Sequence, residues 1–491
     1  MSKFNEKVTI VTQNNSGAPA YSMSVKARLV TEVLTSFFGE PKYYGDNTNQ
    51  LIKDAMAVID VDPRFVANLA RYARKEMHLR SVSHALAALI AYRVESKPYI
   101  REVVDGVVER ADDITEILSC YINMYGKPIP NGLKKALGAA MCRFNAYQFS
   151  KYNGGGKQLS FRDVLRLIHA KPANQEQNRL FNDIINDTLP IAERWETELS
   201  AKGNNTETWY KLIDEKKLGY MAALRNLRNI LNAAPDNMDE VLDMIADANA
   251  AVKSKQLPFR FFSAYREISA CPNAGSKVFR ALEKAISASV QNLPKLAGTT
   301  VIAIDTSGSM TSRISRNSSV SCADIAKLIA VLSAQICDNA IVYIFDTEIK
   351  KLAVDGNGAI LKTVSHIPSM GGGTDLTLPL KEMLNNKVLA DRMILLSDNE
   401  INYGWGSGSF TVCCQSLADQ YRREINPDLW IHAIDLQGYG TQQFVGKNTN
   451  IIAGWGERVI EFIALAEQGM ETQVKRIQNY GVADSDASDA E

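Results

Sequence analysis

The hydrophobic pattern of this chain changes its period once, close to Pro294, and that switch limits the folds open to it. From about Ser22 to Ser289, apolar residues recur at i, i+3, i+4 and i+7 with few β-branched runs, as amphipathic helices require. The spacing predicts helices over Met23–Phe38, Asn49–Val58, Pro63–Arg74, Ser81–Val94, Tyr99–Arg110, Asp112–Tyr125, Asn131–Tyr147 and Ser160–His169. It predicts further ones over Glu176–Ile185, Ile191–Leu199, Thr206–Glu215, Tyr220–Leu231, Met238–Lys253, Pro258–Ile268 and Ser276–Val290. Gly, Pro and Asn break the pattern at short intervals, and no helix is long enough for a coiled coil. Stacked helix pairs of the HEAT type are the expected architecture.

After Pro294 the pattern becomes strand-like. Thr299–Asp305, Ala340–Phe345, Arg392–Leu396 and Leu429–Asp435 are short, apolar, β-branched runs. Helical text at Cys322–Cys337, Leu378–Asn385 and Val412–Glu424 separates them, which predicts a parallel, doubly wound sheet. The expected fold class is therefore multidomain, α followed by α/β. Ligands of such sheets sit beyond the carboxyl ends of the strands. There the sequence places Asp305-Thr306-Ser307-Gly308-Ser309, Gly371-Gly372-Gly373-Thr374-Asp375 and Ser397-Asp398. A hard divalent cation takes oxygen ligands from carboxylates, hydroxyls and water. Asp305, Ser307, Ser309, Thr374 and Asp398 offer that set from three loops, with Mg²⁺ the first candidate and Mn²⁺ the second. The competing reading is an ordinary Ser/Asp turn, which the coincidence of three loops at strand ends disfavours.

Charge and cysteine usage narrow the function classes. The net charge is zero, yet residues 1–300 carry 40 Lys+Arg against 32 Asp+Glu, and the rest of the chain is acidic. Residues 251–300 hold eight basic side chains and two acidic ones. A basic half points to a polyanion partner. The cysteines Cys120, Cys142, Cys271, Cys322, Cys337, Cys413 and Cys414 are odd in number and lack CxxC spacing, which fits reduced thiols in a cytoplasm. No apolar run is long enough for a bilayer, so no membrane partner is expected. GxSxG and HExxH are absent and no second acidic cluster accompanies the metal set, so no enzyme activity is expected. Gly154-Gly155-Gly156-Lys157 lacks the spacing of a phosphate loop.

DTSGSM, GGGTD and LLSDNE resemble the metal-ion-dependent adhesion site of von Willebrand A domains, with every ligand position matched. That resemblance implies a binding site with one coordination position left for an acidic group of a protein partner. Ser160-Phe161-Arg162-Asp163-Val164-Leu165-Arg166-Leu167-Ile168-His169-Ala170-Lys171-Pro172 resembles the signature of the Ro autoantigen family, whose helical part is the TROVE domain. Lys151-Tyr152, Leu224-Arg225-Asn226-Leu227 and Ser397-Asp398-Asn399-Glu400 support it in order along the chain. The resemblance, closest to bacterial- or phage-type members, implies a monomeric ring of helical repeats closed by the A domain. Such a ring binds small noncoding Y-like RNA on its outer surface and single-stranded RNA 3′ ends inside. Bacterial members work with exoribonucleases in RNA quality control. One departure is Asn153-Gly154-Gly155-Gly156, where relatives carry a basic segment.

Arg162, Arg166 and His169 share one helix face, and Phe161, Val164, Leu165 and Ile168 the opposite one. A basic stripe of this kind suits phosphates and unpaired bases, and Lys151 and Lys171 flank it. A second stripe is Arg71, Arg74, Lys75, His78 and Arg80. For each, the competing reading is a solvated helix face, and His169 also suits a helix C-terminal cap. The expected division is an arm over 1–21, a TROVE-like domain over 22–295, an A domain over 296–474 and an acidic tail over 475–491. The alternative function is a protein-interaction adaptor, such as those paired with AAA-type ATPases, without RNA binding.

Overall fold

The computed structural model describes residues 10–13, 19–22, 25–35, 45–152, 158–190, 194–313, 320–355, 358–398, 410–437, 443–446, 448–453, 458–468 and 470–481. The chain divides into two compact units. One joins residues 25–197 to 471–491, and the other joins 1–24 to 198–470.

The first unit is helical: α1 Val25–Thr35, α2 Gly45–Val61, α3 Pro63–Lys75, α4 Ser81–Tyr92 and α5 Ile100–Val107. It continues with α6 Ala111–Tyr125, α7 Asn131–Met141, α8 Ala146–Tyr152, α9 Phe161–Ile168 and α10 Gln175–Asn186. Packing alternates: α3, α5, α7 and α9 form one layer, and α2, α4, α6 and α8 the other. This is the two-layer stack of a helical repeat, in which each pair buries its apolar stripe against the next. Asp62 starts α3 by accepting a hydrogen bond from the Phe65 amide at 3.1 Å, with Pro63 in the first turn, where its missing N–H costs nothing.

In the second unit, α11 Trp195–Lys202, α12 Thr206–Asp214, α13 Tyr220–Ala233, α14 Met238–Ala246, α15 Ala248–Lys253, α16 Pro258–Ser269 and α17 Ser276–Ser289 continue the helical pattern. The sheet follows: β3 Leu296–Asp305, β4 Cys337–Phe345, β5 Ile349–Leu352, β6 Arg392–Ser397, β7 Trp430–Asp435 and β8 Thr449–Ala453. The strand order is β5-β4-β3-β6-β7-β8, parallel except for the antiparallel edge β5. The unit also holds a hairpin of β1 Ile10–Gln13 and β2 Pro19–Ser22. Its later helices are α18 Cys322–Ile336, α19 Ile360–His366, α20 Leu378–Asn385, α21 Phe410–Glu424 and α22 Val459–Glu467. Alternate residues of β3 and β6, including Val301, Ala303, Met393 and Leu395, pack against α20 and α21 in one core. The N-terminal end of the sheet is locked by Arg392, whose guanidinium pairs with Glu467 at 2.5 and 2.9 Å, while buried His432 meets the same carboxylate at 3.1 Å.

The expected fold class is observed: helical repeats followed by a doubly wound A-type domain. Boundaries differ from expectation in several places, as where Met238–Lys253 is two helices, α14 and α15, because Asp247 ends one and caps the next. Asn131–Tyr147 is two helices, because the turn at Cys142–Asn145 ends α7 and restarts the chain as α8. The helical text over 22–295 belongs to both units, changing over at 197/198. The expected break at 474/475 falls inside a last helix, α23 Met470–Gln478. That helix belongs to the first unit because Ile477 is buried and Gln478 donates to Asp62 at 3.0 Å and accepts from Asn68 through its backbone oxygen at 2.8 Å. Tyr480 packs edge-on to Tyr72 at 5.4 Å. The acidic stretch Asp484–Glu491 lies outside the described residues. Among the described residues no helix is long and apolar enough to cross a membrane. Cys120, Cys142, Cys271, Cys322, Cys337 and Cys414 are free thiols.

Candidate functional site

The sheet order makes β3 the strand at which the winding reverses, with β4 on one side and β6 on the other. Its carboxyl end is the crevice where such folds bind ligands. Asp305 ends β3 there, fully buried, and Asp398 follows β6, almost as buried. The Ser307 amide donates to Asp305 Oδ1 at 2.8 Å, and the Ser397 hydroxyl donates to Oδ2 at 2.5 Å. The Ser307 and Ser309 hydroxyls are 3.2 Å apart.

The glycine loop is sewn to this turn by its backbone. Gly371 N donates to Thr306 O at 2.9 Å, and Gly308 N donates to Gly372 O at 3.1 Å. Gly371 has φ +85°, a left-handed conformation that glycine adopts without penalty. Gly372 donates to Asp346 Oδ2 at 2.9 Å, and a Cβ there would lie 2.5 Å from the same oxygen. Thr374, two residues after Gly372, is buried. Asp346 escaped the sequence reading, and Ser397 was placed at its strand end there without a role. Their signal was position alone, since each lies at the carboxyl end of an apolar run.

Burial pushes the Asp305 carboxyl up to about 7, against the opposing Ser307 and Ser397 hydrogen bonds, and the Asp398 charge adds to the rise. Among the described residues no Lys or Arg pairs with Asp305, so its anionic form lacks a basic counter-charge. Two carboxylates and three hydroxyls at one strand switch suit a hard cation that prefers oxygen. Among the described residues no group of three or more His, Cys, Asp or Glu could hold a metal. A set of this kind therefore depends on the hydroxyls.

The signature helix α9 is built as its pattern requires. Ser160 Oγ accepts from the Asp163 amide at 3.1 Å, and Asp163 Oδ2 accepts from the Ser160 amide at 2.9 Å. Phe161, Val164, Leu165 and Ile168 are buried. Arg166 and His169 are exposed, and half-buried Arg162 pairs with Asp187 at 3.3 Å. His169 is the C-cap: its φ is +53° and its amide donates to Leu165 O at 3.0 Å, while its ring stays at the surface. Lys171 is exposed, and Lys151 lies 5.4 Å from the Tyr152 ring, over which Arg110 stacks at 4.4 Å. The segment Asn153–Lys157 lies outside the described residues.

The second stripe is a correction. Arg74 is only 4% exposed. It pairs with Glu109 at 2.8 Å and Asp113 at 3.2 Å, and donates to Val107 O at 3.1 Å. Arg80 pairs with Asp112 at 2.9 Å and Asp113 at 2.6 Å, Lys75 with Glu109 at 3.1 Å, and Arg71 with Glu102. Of the five, His78 alone is exposed without an ion pair among the described residues. The stripe read as a free basic face for RNA because its acidic partners lie 31 to 39 residues downstream. Asp113 is their hub. Burial would raise its carboxyl, but the His84 hydrogen bond and the Arg80 charge outweigh it and hold the group well below the carboxylate range.

The basic stretch 251–300 is different. Arg266 pairs with Asp324 and Lys277 with Asp239, but Lys253, Lys255, Arg280, Lys284 and Lys295 are exposed with no ion pair among the described residues.

A family model described as the TROVE domain matches residues 6–189 and 186–277, more than half of the chain. The chain belongs to the TROVE family, whose Ro-type members are RNA-binding proteins. A second model, the Ro60 vWA domain, matches 299–428, so the metal-type loops fall inside the expected domain of a Ro-family protein. The crystal structure of the Ro (RSR) protein of Deinococcus radiodurans superposes with a TM-score of 0.64 over 91% of this chain and 100% of that one. At 15% identity it shows the shared fold alone. Telomerase protein component 1 of Rattus norvegicus is 22% identical over 294 residues, 43% of this TROVE chain and 11% of that protein. The Mus musculus protein of the same name is 21% identical over 303 residues, 44% and 12% respectively. This chain thus spans about a tenth of those relatives.

Proposed function

We propose that this protein binds RNA through its helical repeats and acts as a noncatalytic scaffold in RNA quality control or degradation. The observation that carries the reading is α9, which buries one face completely and offers Arg166, His169 and part of Arg162 on the other. Two arginines and an imidazole at this spacing contact phosphates and stack on unpaired bases. Small noncoding Y-like RNA is the ligand for this outer face, with Lys151 and Lys171 beside it. Single-stranded RNA 3′ ends are the second ligand, and an exoribonuclease acts on what the scaffold holds.

In the A domain, Asp305, Ser307, Ser309, Thr374 and Asp398 hold a divalent cation, Mg²⁺ before Mn²⁺. The bound ion supplies a Lewis-acidic position for an acidic side chain of a protein partner. Asp305 and Asp398 give the charge, Ser397 orients Asp305, and Asp346 fixes the glycine loop that carries Thr374.

Crosslinking and sequencing of RNA bound to the purified protein tests the reading. Recovery of a structured small RNA whose contacts map to the α9 peptide is the expected result. A gentle low-salt preparation with the 260/280 nm absorbance ratio of pure protein, and no crosslinked RNA, would favour the adaptor reading instead.

A further inference from the structure

Large apolar side chains are scarce on the surface of the helical repeats, yet four of them gather where α2, α4 and α6 end. Val61 closes α2 and is 80% exposed, Tyr92 closes α4 at 46%, Val94 follows it at 65%, and Met124 lies in the last turn of α6. The ion pair of Arg93 with Asp60 ties the ends of α2 and α4 together. A contiguous apolar cluster left open on one rim marks a binding surface.

Its centre has a particular geometry. The Tyr92 and Tyr125 rings lie parallel, 4.0 Å apart with 7° between their planes. Tyr121 backs Tyr125 at 5.6 Å in a tilted arrangement and is itself buried. The three rings form a column that starts in the core and ends on Tyr92 at the surface. Parallel stacking is what a planar ligand extends, whereas protein side chains more often meet aromatic rings edge-on or offset. Two cations follow the column's helices closely in sequence: Lys127, two residues after Tyr125, and Lys97, five residues after Tyr92. Both are exposed and make no ion pair among the described residues. An aromatic face with nearby unpaired ammonium groups is the arrangement by which proteins hold single-stranded nucleic acid without reading its sequence.

We infer that Tyr92 is the outer plate of a stacking platform for one unpaired nucleobase, with Lys97 and Lys127 placed for its flanking phosphates. The site uses residues other than Arg162, Arg166 and His169 of α9, although Asn123 beside it donates to Gln158 just ahead of that helix at 2.6 Å, and the inference rests on the RNA-binding reading above. It accepts purines and pyrimidines alike, because every base presents a π-face.

The test uses the full chain and 4-thiouridine-containing single-stranded RNA of about a dozen nucleotides. Crosslinked peptides are located by mass spectrometry, and affinity is measured by fluorescence anisotropy. The expected result is a crosslink at Tyr92 and an affinity about five- to thirty-fold weaker in Tyr92→Ala. Tyr92→Trp should bind within about two-fold of the parent, because it keeps a stacking face. Circular dichroism confirms that the variants fold. Unchanged affinity in Tyr92→Ala with crosslinks elsewhere would overturn the platform while leaving the RNA reading intact. That is also the outcome if the cluster serves a protein partner. A parent chain that binds no single-stranded RNA at low salt would remove both.

Discussion

Replacing Arg74 by Ala distinguishes a basic stripe from a buried ion network. Its guanidinium is almost wholly out of water, paired with Glu109 and Asp113 and bonded to the Val107 carbonyl. Removing one partner of a buried pair leaves an uncompensated charge, at a cost of about 3–5 kcal/mol. Here part of that charge stays satisfied, since Asp113 keeps His84 at 2.9 Å, Arg80 at 2.6 Å and the Glu109 and Arg110 amides at 3.0 and 2.9 Å. The expected loss is therefore near the lower figure, about 3 kcal/mol, a large share of the roughly 5–15 kcal/mol that holds a domain together. Urea unfolding followed by helical circular dichroism reads this loss, and hydrogen exchange of α3 and α6 locates it. The network also sets a pH dependence. The folded pKa of Asp113 lies below its unfolded value of 3.8, so its contribution is present above that pH and fades as the pH falls further. A folded Arg74→Ala variant that unfolds within about 0.5 kcal/mol of the parent, yet binds RNA much more weakly, would refute the structural role.

Further outcomes follow from the A domain. Asp305→Ala should abolish Mg²⁺ binding in calorimetry, and Ser397→Ala should weaken it by about 10- to 100-fold; RNA affinity should stay within about two-fold in both, since the ligands and α9 belong to different compact units of the chain. Full Mg²⁺ affinity in Asp305→Ala would show that the strand-end set is not the metal site. Gly372→Ala should destabilise the A domain by about 1–3 kcal/mol, because its Cβ would meet Asp346 Oδ2; an unchanged melting temperature would contradict the close approach. At the opposite end of the sheet, burial lowers the His432 pKa, and His432 with Arg392 outweighs burial to hold Glu467 down to about 2. Both folded values lie below their unfolded ones, so acidification below about pH 6.5 should progressively destabilise this domain. Glu467→Gln should melt lower at pH 7 and lose the part of the acid dependence below about pH 4.5 that the Glu467 carboxyl supplies, and a profile parallel to the parent's in that range would exclude the network.

The sequence made some elements legible because their signal is local. The capping box of α9 needs only Ser160 and Asp163, and the apolar runs of β3, β4, β6 and β7 each sit within one window. The metal-type loops were equally readable, since the fold puts strand ends at fixed places in the text. What stayed hidden is non-local. Arg74 looked like a surface cation because nothing near it in sequence announces Asp113. The short strand β5 carries two lysines in four residues and passes for a loop until β4 pairs with it. The last helix looked like the start of a tail because Ile477 finds its core among residues over 400 positions earlier, as the Asn68–Gln478 bond records.

The central claim is that α9 presents an RNA-binding face, and a fluorescence titration of a structured small RNA at two salt concentrations tests it most directly. The parent and the Arg162→Ala, Arg166→Ala, His169→Ser triple variant are compared with that RNA and with a short single strand. Each lost charge-assisted contact is worth about 1–3 kcal/mol. The triple variant should lose at least about 100-fold for the structured RNA and far less for the single strand. Parent affinity should fall steeply with salt, with a slope of roughly −0.7 per phosphate contact on single strands. Equal affinity of parent and triple variant for the structured RNA would contradict the assignment of α9, and no binding by the parent at low salt would contradict RNA binding itself.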